Sequence, residues 1–295
     1  MHALTASQIL LATCAEQPAL AADDRHLIAA FADRGVMARA AIWDDPDEDW
    51  ASAHAVVLRS TWDYHLRRDQ FLEWVDRVSE VTCVFNPPDV VRWNSHKRYL
   101  VELAAGGIPT IDSIMISPGQ AGDAETQIRA RGWTDLVVKP AVSASAHETH
   151  RFANDTRGAI AHVRRLAASG DVLVQPHVQE LAKYGEMTLM FIGGSCTHAV
   201  RRPSRLAHGK AKSEAVIRVT PPAGATKMAE EALGAAYGRH SGAEDAVAAY
   251  ARVDLAEASG RGWLLLELEL IEPSLFFGHA PEAADRLAGV VLRRI

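Results

Sequence analysis

Ala251-Arg252-Val253-Asp254-Leu255 and Trp263-Leu264-Leu265-Leu266-Glu267-Leu268-Glu269-Leu270-Ile271 are the two stretches on which the reading of this chain turns. Both read as strands, and Ser259-Gly260-Arg261-Gly262 supplies the turn between them. A hairpin symmetric about that turn sets Asp254 opposite Glu267. The period of two in a strand then places Glu267 and Glu269 on one face and Leu266, Leu268 and Leu270 on the other. Like charges facing one another destabilise a bare sheet, so a cation is the natural compensation for three gathered carboxylates. Hard oxygen donors with no histidine or cysteine beside them suit magnesium. The same pattern would also serve as the solvated polar face of an ordinary hairpin.

Upstream, the chain alternates strand and helix. Gln8-Ile9-Leu10-Leu11-Ala12 reads as a first strand, Asp23 to Phe31 as a helix ending at Gly35, and Val36 to Trp43 as a second strand. This β-α-β order implies a parallel sheet. Ala55-Val56-Val57-Leu58 is a third apolar run, and Arg59-Ser60-Thr61-Trp62-Asp63-Tyr64 follows it. Ligands in open α/β sheets sit beyond the carboxyl ends of strands, which makes Arg59, Trp62, Asp63 and Tyr64 candidate substrate contacts. Packing and surface roles are the plain alternative for all four. A helix is expected over Gln70 to Val81, and Asn86-Pro87-Pro88 breaks the chain near the first lobe boundary.

Beyond that boundary, a helix is expected over Asn94 to Ala105, a strand over Ser113 to Ile116 and a helix over Ala124 to Arg131. Strands are expected at Leu136-Val137-Val138-Lys139-Pro140 and at Val172-Leu173-Val174-Gln175-Pro176. A lysine closing an apolar strand just before proline would be costly to bury without a partner. A hairpin across Gly193-Gly194 joins Glu186–Ile192 to Cys196–Val200. Ser204 to Gly224 reads as a mobile loop, with helices near Ala225 to Tyr237 and Ala243 to Tyr250.

Composition sets outer limits. The 31 Lys+Arg against 37 Asp+Glu give a formal charge of −6, which argues against coating nucleic acid or an anionic membrane. The three cysteines, Cys14, Cys83 and Cys196, are far apart and form no C-x-x-C pair, so neither a disulfide framework nor a zinc ribbon is expected. No apolar run reaches the length of a membrane span and no signal segment is visible, so the expected location is cytoplasmic. The 13 histidines show no ligand spacing. His147-Glu148-Thr149-His150 spaces its histidines at three rather than four, and Gly209-Lys210-Ala211 lacks the rest of a phosphate-binding P-loop.

Read in order, Lys97, Lys139, the Gln175–Glu186 segment and the acidic hairpin resemble the ATP-grasp ligases, with glutathione-synthetase-like and RimK-like members as the general pattern. The match covers about Asn94 to Pro273. Arg59 to Tyr64 and Glu267-Leu268-Glu269-Leu270-Ile271-Glu272-Pro273-Ser274, with the compact length, are similar to the O-ureido-serine cyclo-ligases of cycloserine biosynthesis. The resemblance implies an α/β protein of α+β lobes: a half-Rossmann lobe over 1–92, a small central lobe over 93–173 and a C-terminal lobe with the magnesium hairpin over 174–295. ATP and Mg2+ are the implied cofactors, with ATP between the last two lobes.

By the same resemblance, Lys97 and Lys139 contact phosphates. Ser143, Ala144 and Ser145, in a stretch running to His147, fold over the β- and γ-phosphates. Gln175, Pro176, His177 and Val178 meet adenine, and Glu186 holds the ribose. Arg201 lies by the γ-phosphate and, with Lys139, serves catalysis. Asp254, Glu267 and Glu269 hold magnesium. Glu272, with Arg59, Trp62, Asp63 and Tyr64, faces the second substrate. Two departures stand out. The phosphate loop lacks glycine, so positive φ is less available to it, and Glu269 stands where asparagine is common. The implied activity is activation of a small carboxylate as an acyl phosphate, then nucleophilic attack, in C–N or cyclo-ligation of an amino-acid-like compound. A homodimer is common in such families. A phosphotransferase and a non-catalytic nucleotide-binding module are the alternatives.

Overall fold

Leu10 and its neighbours are apolar on both sides because the sheet they enter is covered on both sides. In the computed structural model, which describes residues 8–204, 216–239 and 248–295, this sheet is parallel and has the order β2-β1-β3-β4. Its strands are β1 (Gln8–Thr13), β2 (Met37–Ile42), β3 (Ala55–Ser60) and β4 (Cys83–Phe85). Parallel neighbours need crossovers, and α1 (His26–Ala32) and α2 (Arg68–Ser79) provide two of them. Ile9 and Leu11 face a core shared with Leu27 and Phe31 of α1, whereas Leu10 and Ala12 face Phe71, Trp74 and Val75 of α2.

Pro88 opens α3 (Pro88–Asn94), and α4 (Arg98–Ala105) follows after a break. One helix was expected from Asn94 to Ala105. The chain instead turns over Ser95 to Lys97, and Lys97 sits at the N-cap of α4, where its backbone N–H donates to the Ala141 carbonyl (2.7 Å). The break turns the Lys97 side chain toward the acidic hairpin rather than along a helix surface.

The central sheet is antiparallel, in the order β5-β8-β6-β7. It contains β5 (Ile114–Ile116), β6 (Asp135–Pro140), β7 (His150–Ala153) and β8 (Val172–Pro176), packed on α5 (Ala124–Ala130) and α6 (Thr156–Leu166). Neither β7 nor α6 was expected from sequence. The signal for α6 was present: Asp155 caps the helix by accepting from the Gly158 N–H (2.8 Å), and Ala159, Ile160, Val163 and Leu166 form its buried stripe.

The third sheet runs β11-β10-β9-β12-β13 and is antiparallel. Its strands are β9 (Glu186–Ile192), β10 (Ser195–Arg202), β11 (Ile217–Val219), β12 (Tyr250–Ala258) and β13 (Gly262–Glu269). The short α7 (Leu181–Tyr184) precedes it, α8 (Ala223–Tyr237) covers one face, and α9 (Pro281–Leu292) returns to pack on α1. Most of the expected loop over 204–224 and helix over 243–250 lies outside the described residues. Within the described parts, β11 and the start of α8 occupy the former, and β12 begins at Tyr250 in the latter. No described helix is long and apolar enough to cross a membrane.

Three buried side chains fasten the hairpin to the first sheet and to α3. The Asn86 amide donates to the Tyr250 and Leu270 carbonyls (2.9 and 2.8 Å) and accepts from the Ala249 N–H (2.9 Å). Asn94 accepts from the Leu270 N–H and donates to the Leu268 carbonyl, both at 2.8 Å. The Tyr250 hydroxyl lies within 2.9 Å of the Leu58, Phe85 and Ile271 carbonyls. Asn86→Ala would strand three buried backbone groups, at about 1–3 kcal/mol for an unsatisfied group. We expect its melting temperature to fall by several degrees or more in a thermal scan; an unchanged value would show that the clasp is dispensable.

Candidate active site

The hairpin register departs from simple symmetry, and the departure builds the site. A three-residue turn pairs Ala258 with Gly262 and Leu255 with Leu265. A bulge then lets Leu266 pass unpaired, and Asp254 meets Glu267 as expected, with Arg252 opposite Glu269. Leu266 therefore leaves the apolar face where Leu265, Leu268 and Leu270 pack and instead lines a cleft of about 520 Å³. This corrects the expected leucine face.

Carboxylate oxygens of Asp254, Glu267 and Glu269 come within 4.8 Å of one another. Each already has a cation. The Arg252 guanidinium donates to Asp254 (Nη2 to Oδ2, 2.9 Å) and to Glu269. Arg202 donates to Asp254 (2.7 Å) and to Glu186 (2.7 Å), and the Lys97 ammonium donates to Glu267. Burial opposes the charge on Asp254, but Arg202 and Arg252 outweigh it and hold its pKa at about 2. Lys97 and Lys139 do the same for Glu267, also to about 2. Glu269 goes the other way: burial and the charges of Asp254 and Glu267 overcome Arg252 and raise it to about 7. The donor set fits magnesium, since it is all hard oxygen and ionised at two of three positions.

Most of the other expected residues meet in the same cleft. Lys139 ends β6 there, its pKa brought down to about 8 chiefly by burial. Ser143, Ala144 and Ser145 line it, and Ser145 and Ala146 adopt φ of 52° and 60° without glycine. Positive φ in such residues costs roughly 1–2 kcal/mol each, and the loop is held despite it: Ala144 packs on the core of the first sheet, and the His147 ring sits 5.1 Å from that of His65. Gln175, Pro176, His177 and Val178 form the edge of an apolar slot with Val137, Leu181 and Leu266. Gln175 itself is pinned, donating to Ser113 Oγ (2.9 Å). Glu186 lines the cleft against Arg202, its pKa raised by burial.

Three expected residues are not in the cleft. Arg201 and Arg202 are neighbours on β10 and therefore face opposite ways. Arg202 enters the cleft, while Arg201 donates to the Tyr184 carbonyl (2.6 Å). Arg59 is fully buried against Asp24 (2.8 Å) and the Pro273 carbonyl. Asp63 accepts from Trp43 Nε1 (2.9 Å) and Arg67 (2.6 Å). Trp62, Tyr64 and Glu272 do line the cleft. Arg252 was missed: two residues from Asp254 on one strand, it had to share that face.

Two antiparallel sheets closing on a cleft of lysines, arginines and carboxylates, beside an apolar slot, make the layout of an ATP-grasp ligase. A family profile described as "D-cycloserine synthetase DcsG, N-terminal domain" matches residues 9–86. The chain is 33% identical over 272 residues to "Cycloserine biosynthesis protein DcsG" of Streptomyces lavendulae, an alignment spanning 88% of this chain and 90% of that one. It superposes on the crystal structure of D-cycloserine synthetase DcsG with a TM-score of 0.87 at 30% identity, covering 98% of this chain and 99% of the other. D-alanine–D-alanine ligase from Bacillus anthracis, solved with ATP, shares the fold at a TM-score of 0.69 and 13% identity over 98% of this chain and 96% of that one. The chain belongs to the DcsG family of ATP-grasp ligases and is an ATP-dependent enzyme.

The two arginines of β10 provide a paired test. Arg202→Ala is expected to lower ATP-dependent turnover by about a hundredfold, the usual scale for loss of a charge-stabilising donor. Arg201→Ala should stay within about threefold. A steady-state ADP-release assay on both variants checks this; the reverse ranking would return Arg201 to the site.

Proposed function

We propose that this enzyme activates a small-molecule carboxylate as an acyl phosphate and then closes a C–N bond, in an O-ureido-serine-type cyclisation of specialised biosynthesis. The gathering of four cations (Lys97, Lys139, Arg202, Arg252) and three carboxylates in one cleft carries the reading. The slot edged by Gln175, Pro176, His177 and Val178 would take the adenine, and Glu186 the ribose. Lys97 and Lys139 would meet phosphate oxygens as point charges, under the Ser143-Ala144-Ser145 loop. Asp254, Glu267 and Glu269 would hold Mg2+, which would supply positive charge against the phosphate oxygens.

In the first step a substrate carboxylate oxygen attacks the γ-phosphorus, and the bond to the ADP oxygen breaks. In the second a nitrogen attacks the acyl carbon, the C–O bond to phosphate breaks, and the nitrogen proton leaves with solvent or phosphate. Arg202 and Arg252, set against the carboxylates, are placed to steady the charge that develops on the transferring phosphoryl group and on the carbonyl oxygen. No Ser-His-Asp arrangement is required, because positioning and electrostatics do the work. The identity and shape similarity to cycloserine synthetases supports the cyclising form.

An amino-acid panel including O-ureido-serine, assayed for ADP release with hydroxylamine present, tests the chemistry. Substrate-dependent ADP with hydroxamate is expected, and Glu267→Gln should remove at least about 99% of the magnesium-dependent rate. ADP release with a stable phosphorylated product and no hydroxamate would favour a phosphotransferase. A pH series gives a second check. Lys139 is cationic below about 8 and neutral above it, because burial opposes its charge. The KM for ATP should therefore rise between about pH 7 and pH 9, and Lys139→Arg, which stays charged, should flatten that rise. A pH-independent KM in the parent enzyme would separate Lys139 from the phosphates.

A further inference from the structure

Glu272 lines the cleft, yet it belongs neither to the group of carboxylates that could hold a metal nor to any ion pair among the described residues. Its backbone is held firmly. From residue 271 to 275 every carbonyl meets a side chain. Ile271 accepts from the Tyr250 hydroxyl (2.9 Å), Glu272 from Trp62 Nε1 (3.2 Å) and Pro273 from Arg59. Ser274 accepts from Arg252 (3.5 Å), and the Leu275 carbonyl meets His198 Nε2 (2.8 Å). Five consecutive carbonyls tied to side chains from the first and third sheets and the segment after β3 make a rigid strap, and the strap presents one acid to the cleft. This also explains Arg59: it holds the strap from beneath and does not line the cleft.

A buried carboxylate without a counter-ion is costly as the anion, and it either takes a proton or acquires a cation. Burial, with Glu269 nearby, pushes Glu272 up to about 8. Lys97 and Arg252, the cations that act on it from across the cleft, are already committed to Glu267, Asp254 and Glu269. Trp62 and Tyr64, from the segment that follows β3, line the same cleft. An acid beside aromatic rings suits an organic ammonium, which gains from the carboxylate and from the ring faces.

We infer that Glu272 is the counter-ion for an ammonium group on the carboxylate substrate, so that the enzyme selects amino acids in their ammonium form over deaminated or N-acylated carboxylates. The inference rests on the ligase reading above and narrows its substrate class. It has a chemical consequence. An amine kept protonated at Glu272 cannot attack the acyl phosphate, so the new bond must form through a different nitrogen of the substrate.

The experiment compares O-ureido-serine with the same molecule lacking its α-ammonium, in the parent enzyme and in Glu272→Gln. Two readouts are taken: ADP release, and the thermal shift with a non-hydrolysable ATP analogue and Mg2+. The parent should prefer the ammonium compound by about a hundredfold in kcat/KM, the usual scale for a buried charge pair, and Glu272→Gln should narrow that preference to about threefold. A purely structural role would slow both compounds alike and leave the ratio intact, which would overturn the inference, as would a parent enzyme indifferent to the ammonium in both readouts. If neither compound releases ADP but the ammonium compound alone gives a shift that Glu272→Gln removes, the subsite stands and the activation reading falls.

Discussion

The Arg252 guanidinium, wedged between Asp254 and Glu269, is the contact on which the cleft depends. Three carboxylates on adjacent hairpin positions repel one another, and burial adds several kcal/mol of desolvation cost for each ion. Arg252, Arg202 and Lys97 supply positive charge at each end of the cluster. Taking away one partner of such a buried group costs about 3–5 kcal/mol because it leaves a charge uncompensated. The cations therefore do two jobs in turn. They hold Asp254 and Glu267 ionised in the free protein, and in the proposed function they would become the partners of phosphate oxygens when a metal ion compensates the acids.

Such an exchange would need a frame that does not move with it. Asn86, Asn94 and Tyr250 fasten the hairpin to the first sheet and to α3 through buried hydrogen bonds. Tyr99 of α4 accepts from the Leu268 N–H (3.1 Å) between the two cleft-facing glutamates. The bulge at Leu266 shifts register by one residue, and without it Glu267 would not stand across from Asp254. The fold thus spends its buried polar groups on the strand that carries the charge.

The outline of this arrangement was open to sequence reasoning because strand periodicity and motif order act locally. Periodicity alone pairs Asp254 with Glu267, puts Lys139 at a strand end and brings the three carboxylates together. What escaped depended on which way a side chain turns or on what crosses between lobes. Arg201 and Arg202 are indistinguishable by composition, and only the strand's pleat separates them. Arg59 and Asp63 sit in a polar segment beyond a strand, yet each is drawn away from the cleft by a distant partner, Asp24 for one and Trp43 for the other. Arg252 carries no motif of its own, although its two-residue spacing from Asp254 puts it on the face of the acids. The small-residue loop reaches positive φ without glycine because contacts from another lobe hold it.

Diffraction from crystals grown with Mn2+ and a non-hydrolysable ATP analogue, recorded at the manganese edge, tests this sorting of charge most directly. An anomalous peak within roughly 2.0–2.6 Å of carboxylate oxygens of Asp254, Glu267 and Glu269 is the predicted result, with Lys97 moved from Glu267 onto a phosphate oxygen. A peak elsewhere, with the Lys97–Glu267 and Arg252–Glu269 pairs intact around the bound nucleotide, would contradict it.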